Sequence, residues 1–169
     1  MVPASVNEQL RKWRKRYYYS SHVLALVDGL QYQQHTGQQL APEDDLVASL
    51  FAGTKDIALA HAGPWLIDPK AARDRLADLG EVEQARPGVV WLITSESVER
   101  QAEKLRPHLN IRFPNGRSAI VRFWDPRVIH TLNETYQSRA RRELFRTAYE
   151  WQYINEGQRH TINDHVSAN

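Results

Sequence analysis

Apolar residues recur every three or four positions at the start of the chain, where Val6, Leu10, Trp13 and Tyr17 fall on one side of a helical turn and Arg11, Lys12, Lys15 and Arg16 on the other. That period predicts an amphipathic helix with a basic outer face. The pattern then becomes an unbroken apolar run over 23–27 of "HVLALVDGLQ", as expected of a central strand covered on both faces, and Asp28-Gly29 ends it. A polar stretch, "HTGQQLAPEDDL", leads to a short helix expected over 45–51. "DIALAHAGPWLID" predicts one or two short strands broken by Gly63-Pro64. Asp68-Pro69 pairs an N-cap residue with a proline at the first helical position and predicts a helix through Leu79.

After the turn-forming "EQARPG", the run "VVWLITS" repeats the two-faced apolar pattern and predicts a second central strand. Ser95 or Ser97 caps a helix to Leu105, stopped by Pro107. In "NIRFPNGRSAIVRFWD" two strand-like runs are joined by Asn115-Gly116, the pair that best accepts the positive φ angles of a two-residue hairpin turn. Asp125-Pro126 repeats the cap-and-proline device. It launches a helix with Val128, Ile129 and Leu132 inward, followed by a longer helix on which Leu144, Ala148 and Trp151 share a face.

This order of elements predicts an α/β fold: a mixed β-sheet with helices on both faces, containing a β-hairpin with a two-residue turn. No repeat or linker divides the chain. The expectation is one domain over 1–156, with C-terminal helices over 126–156 and a frayed polar tail over 157–169. A chain of 169 residues buries about 70% of its unfolded surface, enough for a real core. Lys and Arg number 22 against 20 Asp and Glu, and the resulting net charge of +2 is too small to demand a polyanionic partner. Cysteine is absent, and neither a signal-peptide core nor a bilayer-length apolar run is present. A cytoplasmic location, with no membrane partner, is expected.

The chain carries no Gly-x-Ser-x-Gly elbow and no glycine-rich phosphate loop, and "TSES" around Ser95 has no histidine tied to it by spacing. His160 and His165, with Asp164 between them, fall in the expected tail, where a preorganised metal site is hard to build. No catalytic residue, cofactor or metal is therefore expected. Basic residues cluster in the first helix and in "SRARRELFR", an arrangement open to reading as a nucleic-acid surface. Each basic stripe nevertheless lies opposite an apolar one, so the simpler reading is the wet side of two packed helices.

One residue breaks the pattern. Arg122 lies between Val121 and Phe123, and its own strand face is flanked by Ile120 and Trp124. Burying an unpaired guanidinium costs several kcal/mol. Either this face opens into a groove that binds something, or the arginine is tied to a carboxylate, with Asp28 and Asp125 as two acceptors. Arg127 sits in a first helical turn, where the helix dipole does not favour a cation, so it reaches back to a carboxylate or out to a partner.

The blocks "ALVDG", "GPWLID", "VVWLITSES" and "LRPHLNIRFPNGRSAIVRFWDPRVIHTL" together resemble the conserved half of the bacterial type VI secretion effector adaptors, also called effector chaperones. The resemblance covers 23–132, and its last block, with Arg-Phe-x-Asp-Pro-Arg, is the specific one. It implies a cytoplasmic, non-enzymatic protein that hands an effector toxin, through the toxin's N-terminal region, to the trimeric spike protein VgrG. It maps Asp28, Trp65, Ser95, Glu96, Arg122, Asp125 and Arg127 onto motif positions. Asp28, Trp65, Ser95, Arg122 and Asp125 are then expected to be structural, with Glu96 and Arg127 the candidates for touching a partner. Many members resembling this chain carry a longer variable C-terminal lobe, whereas this sequence stops soon after the motif blocks.

Overall fold

The chain folds by dividing alternate strand residues between two cores. In a computed structural model, which describes residues 1–16, 19–74, 76–135 and 138–164, the elements begin with α1 (Ala4–Arg16), β1 (His22–Asp28), α2 (Gly29–Thr36), β2 (Val47–Ser49) and β3 (Pro64–Ile67). They continue through α3 (Leu79–Ala85), β4 (Val89–Thr94), α4 (Val98–Leu105), β5 (Asn110–Arg112) and β6 (Ser118–Ile120). α5 (Pro126–Thr135), α6 (Arg139–Phe145), β7 (Glu150–Asn155) and β8 (Gln158–Ile162) complete the order. Leu24 and Leu26 of β1, with Val90 and Leu92 of β4, pack under α4, α5 and α6. Val23, Ala25 and Val27, with Val89, Trp91 and Ile93, pack under α1, α2 and α3. The two unbroken apolar runs are thus central strands with helices on both faces, as their composition predicts.

The α/β class holds, and the sheet directions add a finding. A six-stranded sheet runs in the order β2-β3-β1-β4-β7-β8, and its ladders are antiparallel rather than mixed. β3 and β4 point the same way, but β1 inserts between them, so the crossover carrying α3 never makes them neighbours. The hairpin forms a separate two-stranded sheet from β5 and β6. Its loop holds three residues, not two: Phe113 N donates to Arg117 O at 2.8 Å, and Gly116, at φ +81°, closes the bulge.

Several expected helices give way to tertiary pairing. Residues 47–49 form edge strand β2 against β3 instead of a helix over 45–51. Ile57–Ala62 is a 3₁₀ segment, leaving β3 as the one strand of that stretch. Asp68 accepts from the amides of Lys70 and Ala71 at 3.0 and 3.0 Å, making a capped turn. The helix of that region starts later, at Leu79, where Asp78 caps it through Gly80 N at 2.9 Å. The expected long C-terminal helix stops at Phe145, and Trp151 lies in β7. Residues 158–162, expected in a frayed tail, form β8. Tyr17 and His165 lie outside the described residues.

β8 is tied in by a buried ion pair. Arg159 of β8 grips Glu83 of α3 through Nη2–Oε1 at 2.6 Å and Nη1–Oε2 at 3.1 Å, and Trp91 Nε1 donates to the same carboxylate at 2.8 Å. The Glu83 side chain is 2% exposed and that of Arg159 20%. Arg159→Ala therefore strands a dry carboxylate and is expected to cost about 3 kcal/mol, with Arg159→Lys recovering only part. Urea unfolding checks this; a loss below about 0.5 kcal/mol, the scale of an ordinary surface change, would contradict the packing of β8 into the sheet.

Candidate functional site

The motif blocks meet at one end of the sheet. Asp28 is the last residue of β1, where its amide donates to Gly88 O at 2.9 Å and its Cα lies opposite Pro64 of β3. Its Oδ1 accepts from the amides of Leu30 and Gln31 at 2.9 and 3.0 Å, making it the N-cap of α2. The next residue has to be glycine: a Cβ on Gly29 would stand 2.4 Å from His61 O and 2.9 Å from Trp65 Nε1. Gly29 N donates to Gly63 O at 2.8 Å, and Trp65, buried, donates from Nε1 to Ala60 O at 2.8 Å. The Asp-Gly and Gly-Pro-Trp blocks are thus two sides of one tight contact.

The Asp-Pro-Arg block supplies a second buried carboxylate. Asp125 precedes Pro126 of α5, and Arg127 holds it from the same turn: Nε to Oδ1 at 3.0 Å, Nη2 to Oδ2 at 2.8 Å, and the backbone amide to Oδ1 at 2.9 Å. Arg122 spans both acids, with Nη2 at 3.3 Å from Asp28 Oδ2 and 3.9 Å from Asp125 Oδ2. Its guanidinium also lies 6.0 Å from the centre of the Trp124 ring, and that ring meets Phe51 edge-on at 5.9 Å.

The carboxylates are dry and the arginines are not. The Asp28 and Asp125 side chains are 1% and 4% exposed, against 50% for Arg122 and 59% for Arg127. Burial pushes the Asp28 carboxyl above its usual range; the amides of Gln31 and Leu30 and the charge of Arg122 pull the other way, while the Asp125 charge adds to the rise. Burial acts on Asp125 too, but the hydrogen bonds and charge of Arg127, helped by Arg122, outweigh it and hold that carboxyl below its usual range. The hydrogen bond from Arg127 to Asp125, and the Asp125 charge, raise the guanidinium further.

The sequence-predicted residues separate into two groups. Asp28, Trp65, Arg122, Asp125 and Arg127 gather at this junction. Ser95 and Glu96 do not: Thr94 pairs with His22 while Val27 pairs with Val89, which places them at the far end of the sheet, roughly 20 Å away at strand rise. There Ser20 Oγ donates to Ser95 Oγ at 3.1 Å, and Glu96 pairs with Lys104 of α4. Arg122 differs from expectation in its setting. It lies beyond β6 in an irregular segment, and Val121, not Arg122, continues the hairpin by donating to Leu109 O at 2.8 Å. Of the two alternatives, the carboxylate partner is the one present, and Arg127 likewise reaches back to a carboxylate. Phe51 and Trp124 of the junction went unassigned in the sequence reading because each looks like ordinary core.

The arrangement leaves little free chemistry in the acids. Both oxygens of Asp28 and of Asp125 accept hydrogen bonds and both side chains are nearly dry, so the open surface is the outer side of the two guanidinium groups. Among the described residues no group of three or more His, Asp or Glu is placed to hold a metal ion, and no helix is long and apolar enough to cross a membrane. Fold and site together define an α/β domain in which Asp28, Arg122, Asp125 and Arg127 build one ion-pair junction around two buried carboxylates. Residues 23–143 match the family model described as Domain of unknown function (DUF4123), and the chain belongs to that family. Searches of curated proteins and of solved structures found no match to the chain.

The two aspartates give opposite pH signatures. For Asp28 the folded value lies above 3.8, so the folded state holds more protons in the interval above 3.8, and stability falls as pH rises through it. Asp28→Asn keeps a capping side chain and is expected to gain on wild type across that interval, then to run level. For Asp125 the folded value lies below 3.8, so its contribution is present above 3.8 and is lost as pH falls through the lowered value. Asp125→Asn should therefore trail wild type near neutrality, with the gap closing toward acid. Urea unfolding across the acid range measures both, and parallel profiles for the two variants would contradict the assignment.

Proposed function

We propose that this chain is a cytoplasmic, non-catalytic adaptor that binds an effector toxin of a type VI secretion system and assists its loading onto the VgrG spike. The observation that carries the reading is the convergence of the Asp-Gly, Gly-Pro-Trp and Asp-Pro-Arg blocks, on which the resemblance to effector adaptors rests, at one junction around Asp28 and Asp125. The family match over 23–143 covers the whole of that stretch. The saturated carboxylates support a scaffold whose motif holds a surface in place, with Arg127 and Glu96 as candidate contacts for the client. Arg127 is the better placed of the two, since its guanidinium is 59% exposed beside the junction while Glu96 is engaged with Lys104.

The nucleic-acid alternative has less support. α1 buries Val6, Leu10 and Trp13, so its basic residues are the solvated side of a packed helix, and Lys12 pairs with Glu8 at 3.1 Å.

Co-expression of the tagged chain with the toxin and spike encoded by neighbouring genes tests the proposal. Retention of the toxin, and of the spike in its presence, is expected at physiological salt; retention of neither contradicts it. Duplex DNA bound at about 10⁻⁶ M with a steep salt slope, and released by changing Arg11, Lys12, Lys15 and Arg16 together to Gln, would favour the alternative.

A further inference from the structure

The β5–β6 hairpin is built unlike the rest of the molecule. It is a two-stranded sheet of its own, and every residue from 110 to 120 is exposed. Isolated two-stranded hairpins are marginal in water, yet this one holds large apolar side chains outward: Ile111 is 49% exposed, Phe113 46% and Ile120 38%. Register sorts them. Ile111 lies opposite Ala119, and Phe113 follows two residues along the same strand, so these three share one face; Ile120, opposite Asn110, lies on the other. Neither strand pairs with the main sheet, and the face holding Ile111 and Phe113 is the more exposed of the two.

The hairpin's own charges have one sign. Arg112 and Arg117 lie on it and residues 110–122 contain no Asp or Glu, while Arg122 at its root is already engaged with Asp28 and Asp125. Neither Arg112 nor Arg117 has an ion-pair partner among the described residues. Lys55 adds another positive charge, its Nζ lying 3.3 Å from Ser118 Oγ. An apolar strip with unpaired guanidinium groups at its rim is complementary to apolar side chains flanked by carboxylates. The aliphatic part of the strip distinguishes this surface from a phosphate-binding one, because isoleucine gains nothing from a sugar-phosphate backbone.

We propose that the β5–β6 hairpin is a docking surface for an acidic, amphipathic segment of a partner protein, with Ile111 and Phe113 taking its apolar side chains, Arg117 on the same face taking its carboxylates, and Arg112 on the other face adding to the positive field. The inference rests on the adaptor reading only for whose segment it is, the toxin's or the spike's. The surface itself follows from the hairpin.

Fluorescence anisotropy with a labelled synthetic peptide alternating Phe or Leu with Glu tests it. Its counterpart with Lys in place of Glu and a random-sequence DNA duplex serve as the other probes. The acidic peptide is expected to bind about tenfold or more tightly than the Lys peptide, with an affinity that falls as salt rises. Ile111→Ser with Phe113→Ser should weaken it at every salt concentration, and Arg112→Gln with Arg117→Gln chiefly at low salt. Thermal midpoints should stay unchanged, because these side chains are exposed. No binding of the acidic peptide, equal binding by wild type and both double variants, or tighter binding of the duplex would overturn the proposal. The same two double variants, carried into co-expression with the toxin and spike, separate the two readings. Toxin and spike both retained equally by wild type and both variants overturn the hairpin and leave the adaptor reading standing. A wild type that binds the acidic peptide but neither protein leaves the surface standing and sinks the adaptor reading.

Discussion

Two aspartates buried at one end of the sheet, Asp28 and Asp125, constrain everything around them. Each sits where water is largely excluded, and the charge of Asp125 adds to the cost of ionising Asp28. Such a pair persists only if hydrogen bonds and counter-charges satisfy it. The fold meets that demand with three devices: the first turn of α2 donates two amides to Asp28, Arg127 forks onto Asp125, and Arg122 reaches between the two. The devices come from chain segments about ninety residues apart, so satisfying the carboxylates also fixes α5 and the root of the hairpin against the end of β1. The asymmetry follows from the same geometry. Asp125 has a bidentate partner and titrates low, whereas Asp28 depends on amides and a half-exposed arginine and titrates high.

What was legible in the sequence was what local chemistry alone decides. The runs at 23–27 and 89–94 read as central strands because both pleat faces are apolar, and Ser95 or Ser97, of which Ser97 is the cap, and Asp125 read as helix starts because a short polar side chain precedes a helical period. Asp28 and Asp125 were named as acceptors for Arg122, but on the premise of a dry strand face, whereas the arginine is half exposed beyond β6. What misled was amphipathic sequence whose period was overruled by pairing. Leu144, Ala148 and Trp151 are spaced for a helix, yet Trp151 is drawn into β7 beside β4, where its indole donates to Phe145 O at 3.0 Å. Residues 158–162 look like a tail because they are polar, but an edge strand needs little apolar content when its backbone is paired with β7 and Arg159 is bound to Glu83. Asp68-Pro69 carries a helix-start signal, and its carboxylate caps a turn that goes no further. The separation of Ser95 and Glu96 from the junction was not readable at all without the strand register.

This division bears on how a member of the DUF4123 family would use its motif. Its two aspartates are buried and hydrogen-bonded, while Arg122 and Arg127 turn half of their side chains to solvent. The neighbouring surface with unmet apolar and charged demands is the hairpin, whose root leads through Val121 to Arg122. A junction held by ion pairs to two buried carboxylates fixes the base of a solvent-exposed arm.

The junction account is tested most directly by a double-mutant cycle in chemical denaturation with Asp28→Asn, Arg122→Ala and the double variant. Because the Arg122 side chain is half exposed, the pair is expected to couple by only about 1 kcal/mol, well below a fully buried pair, and less as salt is raised. Coupling of that size, with an unfolding midpoint lowered in Arg122→Ala, supports a structural role for Arg122. Zero coupling and an unchanged unfolding midpoint in Arg122→Ala would contradict it.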